Sequence, residues 1–286
     1  MEYSNLISIV NNTLSSLLDD LLLSVDSNVF SLLDKLVFLD GSILHDSYFN
    51  SFFTNNFSII SLSKSFLYGL LIYYAILKLL SYLTSSNFQS TPSFLFRLFL
   101  SAIFIHFSPS ICKYILDFFG LSTEILRSIG NSLFSVQISF SLFYEKISSL
   151  LLNGKTIFWS LDGVIRSFMS VGFISLLLTY SVRYVFVKIL ILMAPFAFLS
   201  FSLEQSTWIF KIWLKNFIGQ LFVQLFICII LILLFSFQKG EPTMTKLLYM
   251  AILTCLIKAN SFVKDFTSGF TSDITSSINQ FKNSIL

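Results

Sequence analysis

The chain has 286 residues, of which 55% are hydrophobic and 12% are charged, and its mean hydropathy is +0.81. Soluble proteins carry about 25% charged residues, so this composition excludes an ordinary soluble domain. The formal charge of +3 is too small for nucleic-acid binding by bulk electrostatics. The sequence therefore predicts an all-α, polytopic integral membrane protein with five or six transmembrane helices and an amphipathic N-terminal helical segment.

The N-terminal segment, residues 1–62, is acidic. Lys35 is its one base, against seven acids: Glu2, Asp19, Asp20, Asp26, Asp34, Asp40 and Asp46. Leucines at helical spacing indicate an amphipathic helix: Leu14, Leu17, Leu18, Leu21 and Leu22. Such a segment could lie on the membrane or dock on a partner. Because it lacks the basic residues that retain loops in the cytoplasm, we expect it outside the cytoplasm.

The predicted transmembrane domain covers residues 63–262, and a polar C-terminal tail follows at 263–286. The predicted spans lie at about 66–86, 94–117, 163–182, 184–202, 216–237 and 245–262. Basic flanks place the C-terminus in the cytoplasm, and an outside N-terminus then requires an odd number of spans. One of the six must therefore fail to cross, and the second segment and the 163–202 pair are suspect. Pro109 is expected to kink or end the second span, and Pro195 to break the fourth.

Two stretches between the spans are not predicted to cross the membrane. Residues 128–144 are uncharged but rich in Ser, Asn and Gln, and indicate an interfacial or soluble helix. Residues 203–215 combine tryptophan with lysine, which is typical of the headgroup zone. Four side chains of this stretch are predicted interface anchors: Trp208, Lys211, Trp213 and Lys215.

The fifth span contains 22 residues without a charge, close to the roughly 20 apolar residues that cross a bilayer. Asn216, Gln220 and Gln224 recur at four-residue intervals and share one face of the helix. Amides that face lipid would lack partners, so this stripe should face protein or water. It either packs helices and subunits together or lines a polar channel. Pro195 is assigned to the same set, as an ordinary kink or as a bend that shapes a pore lining or an oligomer contact. Both alternatives suggest a homo-oligomer.

The residues offer no catalytic, cofactor or metal site. Cys112, Cys228 and Cys255 are far apart in apolar sequence, which favours buried hydrophobes over a redox or metal role. His106 has no acid one helical turn away, so a structural role is expected. Most bases within spans can extend to the interface, whereas Arg183 and Lys188 could also lie near a water-filled passage or a partner's carboxylate. A proton relay is disfavoured, since acids inside the spans are essentially absent.

The order of features across 184–262 resembles a known family. An alanine–proline span (Ala194, Pro195, then Phe196, Ala197 and Phe198) precedes a polar hinge of Glu204, Gln205, Ser206 and Thr207. Trp208, the run from Trp213 to Phe217, and a long span with Gln220 and Gln224 follow. This arrangement is similar to that of the TrbL/VirB-type polytopic subunit of type IV secretion and conjugation systems.

The resemblance implies a non-enzymatic, oligomeric component of the bacterial inner membrane. It would help to build the path for protein or DNA, beside other inner-membrane secretion subunits and separate ATPases. A small-solute transporter or permease component is the alternative, and a membrane-embedded enzyme is a third class. The transporter predicts an internal repeat or acids at mid-membrane, and the enzyme predicts clustered His, Asp, Glu or Cys residues. The sequence shows neither pattern.

Overall fold

The computed structural model describes residues 9–10, 13, 16–17, 27–55, 57–84, 91–151, 161–203, 206–236 and 242–285. All regular elements in these ranges are helices, and short 3₁₀ turns lie at Gly41–His45 and Ser200–Ser202. The α-helices with defined bounds are α1 (Ser27–Val37), α2 (Ser47–Thr54), α3 (Ile59–Thr84), α4 (Thr91–Phe134), α5 (Phe140–Leu151), α6 (Leu161–Leu199), α7 (Thr207–Ser236) and α8 (Pro242–Ile285).

Five segments of the described chain are long and apolar enough to cross a membrane. They are Ser47–Leu80, Phe94–Phe134, Gly163–Ser202, Thr207–Ser236 and Met244–Asp265. The prediction of an all-α polytopic membrane protein with five or six spans is confirmed. Five is also an odd number, the parity that the charge-based orientation requires.

The predicted spans at 163–182 and 184–202 are one helix, which corrects the sequence interpretation. Helix α6 runs without interruption from Leu161 to Leu199, a length of about 60 Å at 1.5 Å per residue. Arg183, which marked the apparent boundary, lies within the helix and is buried. Pro195 also lies inside α6, which ends four residues later instead of breaking there. Proline is tolerated in membrane helices where neighbouring groups satisfy the freed backbone.

Three further boundaries differ from those predicted. Helix α4 passes through Pro109 and continues to Phe134, beyond the expected end at 117. The predicted helix at 128–144 is divided, because the chain leaves the helix at 135–139 and α5 starts at Phe140. Helix α8 continues through the polar tail to Ile285. Residues 85 and 86, at the end of the first predicted span, lie outside the described residues.

The chain divides into two compact units. The first unit comprises Met1–Phe38, Leu121–Tyr184 and Phe222–Phe266, and the second comprises Leu39–Gly120, Val185–Leu221 and Thr267–Leu286. The core of the first unit is a cluster of buried apolar side chains from α1, α5, α6, α7 and α8, including Leu33, Phe143, Phe173, Leu231 and Leu253.

Helix α1 belongs to this core. Phe30, Leu33 and Val37 recur every three or four residues and are fully buried, as expected for one face of a helix. The ring of Phe30 stacks on Tyr144 with centroids 4.4 Å apart and meets Phe173 edge-on at 5.3 Å. This part of the acidic N-terminal segment therefore docks on its own chain. Except for Leu17, the predicted leucine face between Leu14 and Leu22 lies outside the described residues.

In the second unit, the segment after α1 packs along α4. The backbone N–H of Gly41 donates to Asp117 Oδ1 over 2.9 Å. A Cβ atom at Gly41 would clash with the Asp117 carboxylate, and one at Gly120 would lie 3.1 Å from the Asp40 Cβ atom. These two glycines allow the N-terminal segment to approach the helix closely.

Candidate functional site

Pro195 and Trp213, both predicted from sequence, belong to one site in the second unit. Pro195 is buried in α6 and has no N–H, so the carbonyl of Ile191 loses its intrahelical donor. The preceding carbonyl, of Leu190, accepts a hydrogen bond of 2.8 Å from Trp213 Nε1. The indole of α7 thus binds the α6 backbone about one turn before the proline.

This contact corrects the predicted role of Trp213. Its side chain is only 6% exposed, and its N–H is bonded within the protein, so it is not presented to lipid headgroups. A buried tryptophan needs a hydrogen-bond partner, and the Leu190 carbonyl supplies one. Trp208 lies on the outer face of the same helix and is 58% exposed. Lys211 is exposed and Lys215 is partly exposed, so the anchor role of these three residues stays a prediction.

Stacked rings fix the turn between α6 and α7. We name this set the aromatic corner and define it as Phe104, Phe198, Phe201, Phe210, Trp213 and Phe217. Phe201 and Phe210 lie 4.3 Å apart between centroids, and Trp213 and Phe217 are nearly parallel at 5.4 Å. Each such pair contributes about 0.5–1.5 kcal/mol beyond its buried area. The Ser206 hydroxyl also donates to the Ser200 carbonyl over 3.0 Å. Glu204 and Gln205 of the predicted hinge lie outside the described residues.

The amide stripe of α7 becomes progressively more buried along the helix. Asn216 is exposed and Gln220 is half-buried, both in the second unit, whereas Gln224 in the first unit is 0% exposed. Gln224 is enclosed by its own chain and packs within the protein. A contact with a second subunit along this stripe would therefore use Asn216 and Gln220.

A second polar site lies in the first unit, and we name it the polar clasp: Asp34, Arg127 and Arg183 with the backbone they bind. Arg183 is 1% exposed and donates from Nη1 to the Val37 carbonyl over 2.9 Å. Val37 is the last residue of α1, so its carbonyl is one of those that a helix end leaves unpaired. The cation also meets the negative end of the helix dipole. Arg183 thereby caps α1.

Asp34 and Arg127 hold the start of α5 in the same unit. Asp34 Oδ1 accepts from the backbone N–H of Phe140, the first residue of α5, over 3.2 Å. Arg127 Nε donates to the Ile138 carbonyl over 2.9 Å, and its Nη2 lies 3.7 Å from Asp34 Oδ1. Asn131 Oδ1 accepts from the N–H of Ile138 over 3.0 Å. Side chains of α1 and α4 therefore bind the backbone of the non-helical connection between α4 and α5.

Burial sets the ionisation of Asp34. Desolvation raises the pKa of this carboxyl above its ordinary value, and the Phe140 N–H and the Arg127 charge oppose the rise. The guanidinium of Arg127 also lies 4.5 Å from the centroid of the Phe38 ring, within cation–π range. The clasp thus combines charge, hydrogen bonds and an aromatic face.

In the second unit, Lys188 has its carboxylate partner within the same chain. Its ammonium lies 3.2 Å from Asp46 Oδ2 and 5.0 Å from the centroid of Phe49. The sequence had suggested that Arg183 and Lys188 face a water-filled passage or another protein's carboxylate. Both instead contact the N-terminal segment of their own chain. Sequence reasoning missed the roles of Asp34, Asp46 and Arg127, although the contrast between an acidic N-terminal segment and a basic remainder was the signal.

Each of the two histidines lies near a lysine side chain. His106 Nδ1 lies 3.5 Å from Lys64 Nζ, and His45 Nε2 lies 3.4 Å from Lys113 Nζ. Cys112 and Cys228 are buried and Cys255 is exposed, all as free thiols. No group of three or more His, Cys, Asp or Glu residues in the described ranges could hold a metal ion.

Comparison of the chain with protein-family models, with curated proteins and with solved structures finds no match.

Proposed function

We propose that this chain is a structural, non-enzymatic subunit of a membrane translocation channel of the type IV secretion or conjugation kind. It forms or scaffolds the conduit for protein or DNA in a bacterial inner membrane. Its partners are the lipid bilayer, further copies of itself, other inner-membrane secretion subunits and separate ATPases. It binds no cofactor.

The aromatic corner carries this proposal. Among the residues that resemble the secretion subunits, Trp213 donates to the Leu190 carbonyl, five residues before Pro195, and stacks on Phe217. A tryptophan of α7 that bonds the α6 backbone five residues before the proline fixes the register of the two helices there. A scaffold needs such a rigid element, because it must present the same surface to its neighbours in every copy.

The use of charge supports the same proposal. Arg183 and Lys188 bind the N-terminal segment of their own chain, and these contacts stabilise the fold. Asn216, exposed on α7, is a polar group suited to contact a second copy, since amides bond across helices in membranes.

Transfer in cells tests the proposal. Deletion of the gene should abolish secretion or conjugation, while the partner ATPases stay folded and hydrolyse ATP. Pro195→Ala should impair transfer with little effect on membrane insertion, because a helix without proline inserts at least as readily. Pro109→Ala is the matched control, since Pro109 also lies inside a candidate span but on α4, away from the helix that Trp213 binds; it should retain transfer.

Two results would overturn the proposal. The deletion strain could transfer normally, in which case the chain is no part of the conduit. Alternatively, the purified protein alone could move a small solute down its gradient with saturable kinetics, which would establish the transporter alternative.

A further inference from the structure

Helix α2 carries aromatic side chains on two neighbouring faces, one buried and one exposed. Phe49 and Phe53 are buried and meet edge-on, with centroids 5.8 Å apart. The Lys188 ammonium lies over the Phe49 ring and pairs with Asp46, the residue just before the helix. One face of α2 is thereby fixed against α6 within the second unit.

The other face of α2 is uncovered. Tyr48 is 84% exposed and Phe52 is 52% exposed, and their four-residue spacing places them on the same side of the helix. Phe57, in the connection to α3, is fully exposed. In water, each exposed phenylalanine ring forfeits the favourable free energy of burying its apolar surface. Three adjacent aromatic side chains in this state require a covering partner.

Continuity with a candidate span identifies that partner. Helices α2 and α3 belong to one apolar segment, Ser47–Leu80, in which only 11% of the most apolar stretch is buried inside the protein. Exposed side chains continue along α3 and include Phe66, Leu71, Ile72, Ile76 and Leu79. The surface that lipid covers on α3 therefore extends to the aromatic face of α2.

Charge indicates the depth of this surface. No charged residue occurs from Ser47 to Ser63, and Asp46 and Lys64 flank the stretch. Serine, threonine and asparagine alternate there with aromatic residues, a composition that suits the boundary between headgroups and acyl chains. We propose that the face formed by Tyr48, Phe52 and Phe57 is a lipid-binding surface, on which α2 lies in the membrane interface and fixes the level at which α3 enters the bilayer.

Photocrosslinking of the full-length protein in membranes tests this surface. The photoreactive amino acid p-benzoylphenylalanine replaces Phe52, Phe57 or Phe53 in three separate variants, and intact mass spectrometry follows irradiation. Lipid adducts are expected at positions 52 and 57. Position 53 is the matched control on the buried face of the same helix, and crosslinks there should stay within the chain.

A second polypeptide crosslinked at positions 52 and 57 would overturn the proposal and identify the face as a protein contact. Absence of lipid adducts at both positions would equally overturn it, because the face would then lie in water. Position 57 lies outside α2, so its result stands even if the substitution at 52 prevents folding.

Discussion

Arg183 and Lys188 are two cations on one helix, five residues apart, in opposite environments. Arg183 belongs to the first unit, where it is enclosed and donates to the end of α1. Lys188 belongs to the second unit, where 22% of its side chain is exposed and its partner Asp46 is more exposed still. Burial therefore decides how strongly each contact contributes to the fold.

The two units use polar contacts differently for this reason. A buried charge costs several kcal/mol to desolvate and is retained only with well-placed partners, so the polar clasp of the first unit is sensitive to the loss of any member. An exposed pair contributes about 0–1 kcal/mol. The second unit relies instead on the aromatic corner, where stacked rings and a single indole hydrogen bond hold α6 against α7.

The largest expected effect comes from emptying the core beneath the clasp. Phe30→Ala should lower the free energy of unfolding by about 3–5 kcal/mol, because it removes a fully buried ring and leaves a cavity. Leu32→Ala, on the exposed face of the same helix, should change it by less than about 0.5 kcal/mol. Denaturation in detergent micelles measures both. Equal effects would mean that α1 is not docked as described.

The two cations of α6 provide the next comparison. Arg183→Gln should cost about 1–3 kcal/mol, because the Val37 carbonyl loses its donor in a buried position. Lys188→Gln should cost at most about 1 kcal/mol, since its pair is partly exposed. Thermal unfolding, together with hydrogen exchange of the α1 amides, separates the two. If Lys188→Gln proves the more damaging, burial does not govern the difference.

The aromatic corner allows a finer test in the second unit. Trp213→Phe keeps a ring for stacking but removes the donor to Leu190, and should cost about 1–2 kcal/mol. Trp208→Phe is the control on the exposed face of α7 and should be nearly neutral. The free energy of unfolding in micelles reports both. A neutral Trp213→Phe would show that stacking alone holds the corner.

The sequence predicted the helical class and the membrane character well, because both depend on local composition. Within the predicted five or six spans, it divided residues 163–202 into two, since a cation at position 183 reads as a boundary when its partner is unknown. That partner is the Val37 carbonyl, 146 residues away in the chain, and no periodicity within α6 encodes such a contact.

At the candidate sites, too, the sequence does not reveal contacts between residues that are far apart in the chain. The sequence identifies Pro195 and Trp213 as unusual residues. It does not show that Trp213 bonds the α6 backbone one to two turns before Pro195. Trp213 was assigned to the headgroup zone because tryptophan next to lysine is typical of it; burial of its face by neighbouring rings reversed that assignment. The acidic N-terminal segment was predicted to lie on the membrane or dock on a partner, and the pairing of Asp34 with Arg127 depends on tertiary structure.

The smallest expected effect is the pH dependence of the clasp. Burial raises the pKa of Asp34, so its charged form is less favourable in the folded state than in the unfolded state. Below the ordinary carboxyl pKa, Asp34 is protonated in both states. As the pH rises from that value to the raised pKa, the unfolded chain loses its proton first, and the free energy of unfolding should fall across this window.

Asp34→Asn keeps an oxygen that accepts from Phe140 but cannot ionise, so it should remove this part of the fall. Unfolding midpoints measured across the acidic range for both proteins compare the slopes. Equal slopes would show that Asp34 does not titrate with folding, and the clasp would then be held by hydrogen bonds and packing, as the aromatic corner is.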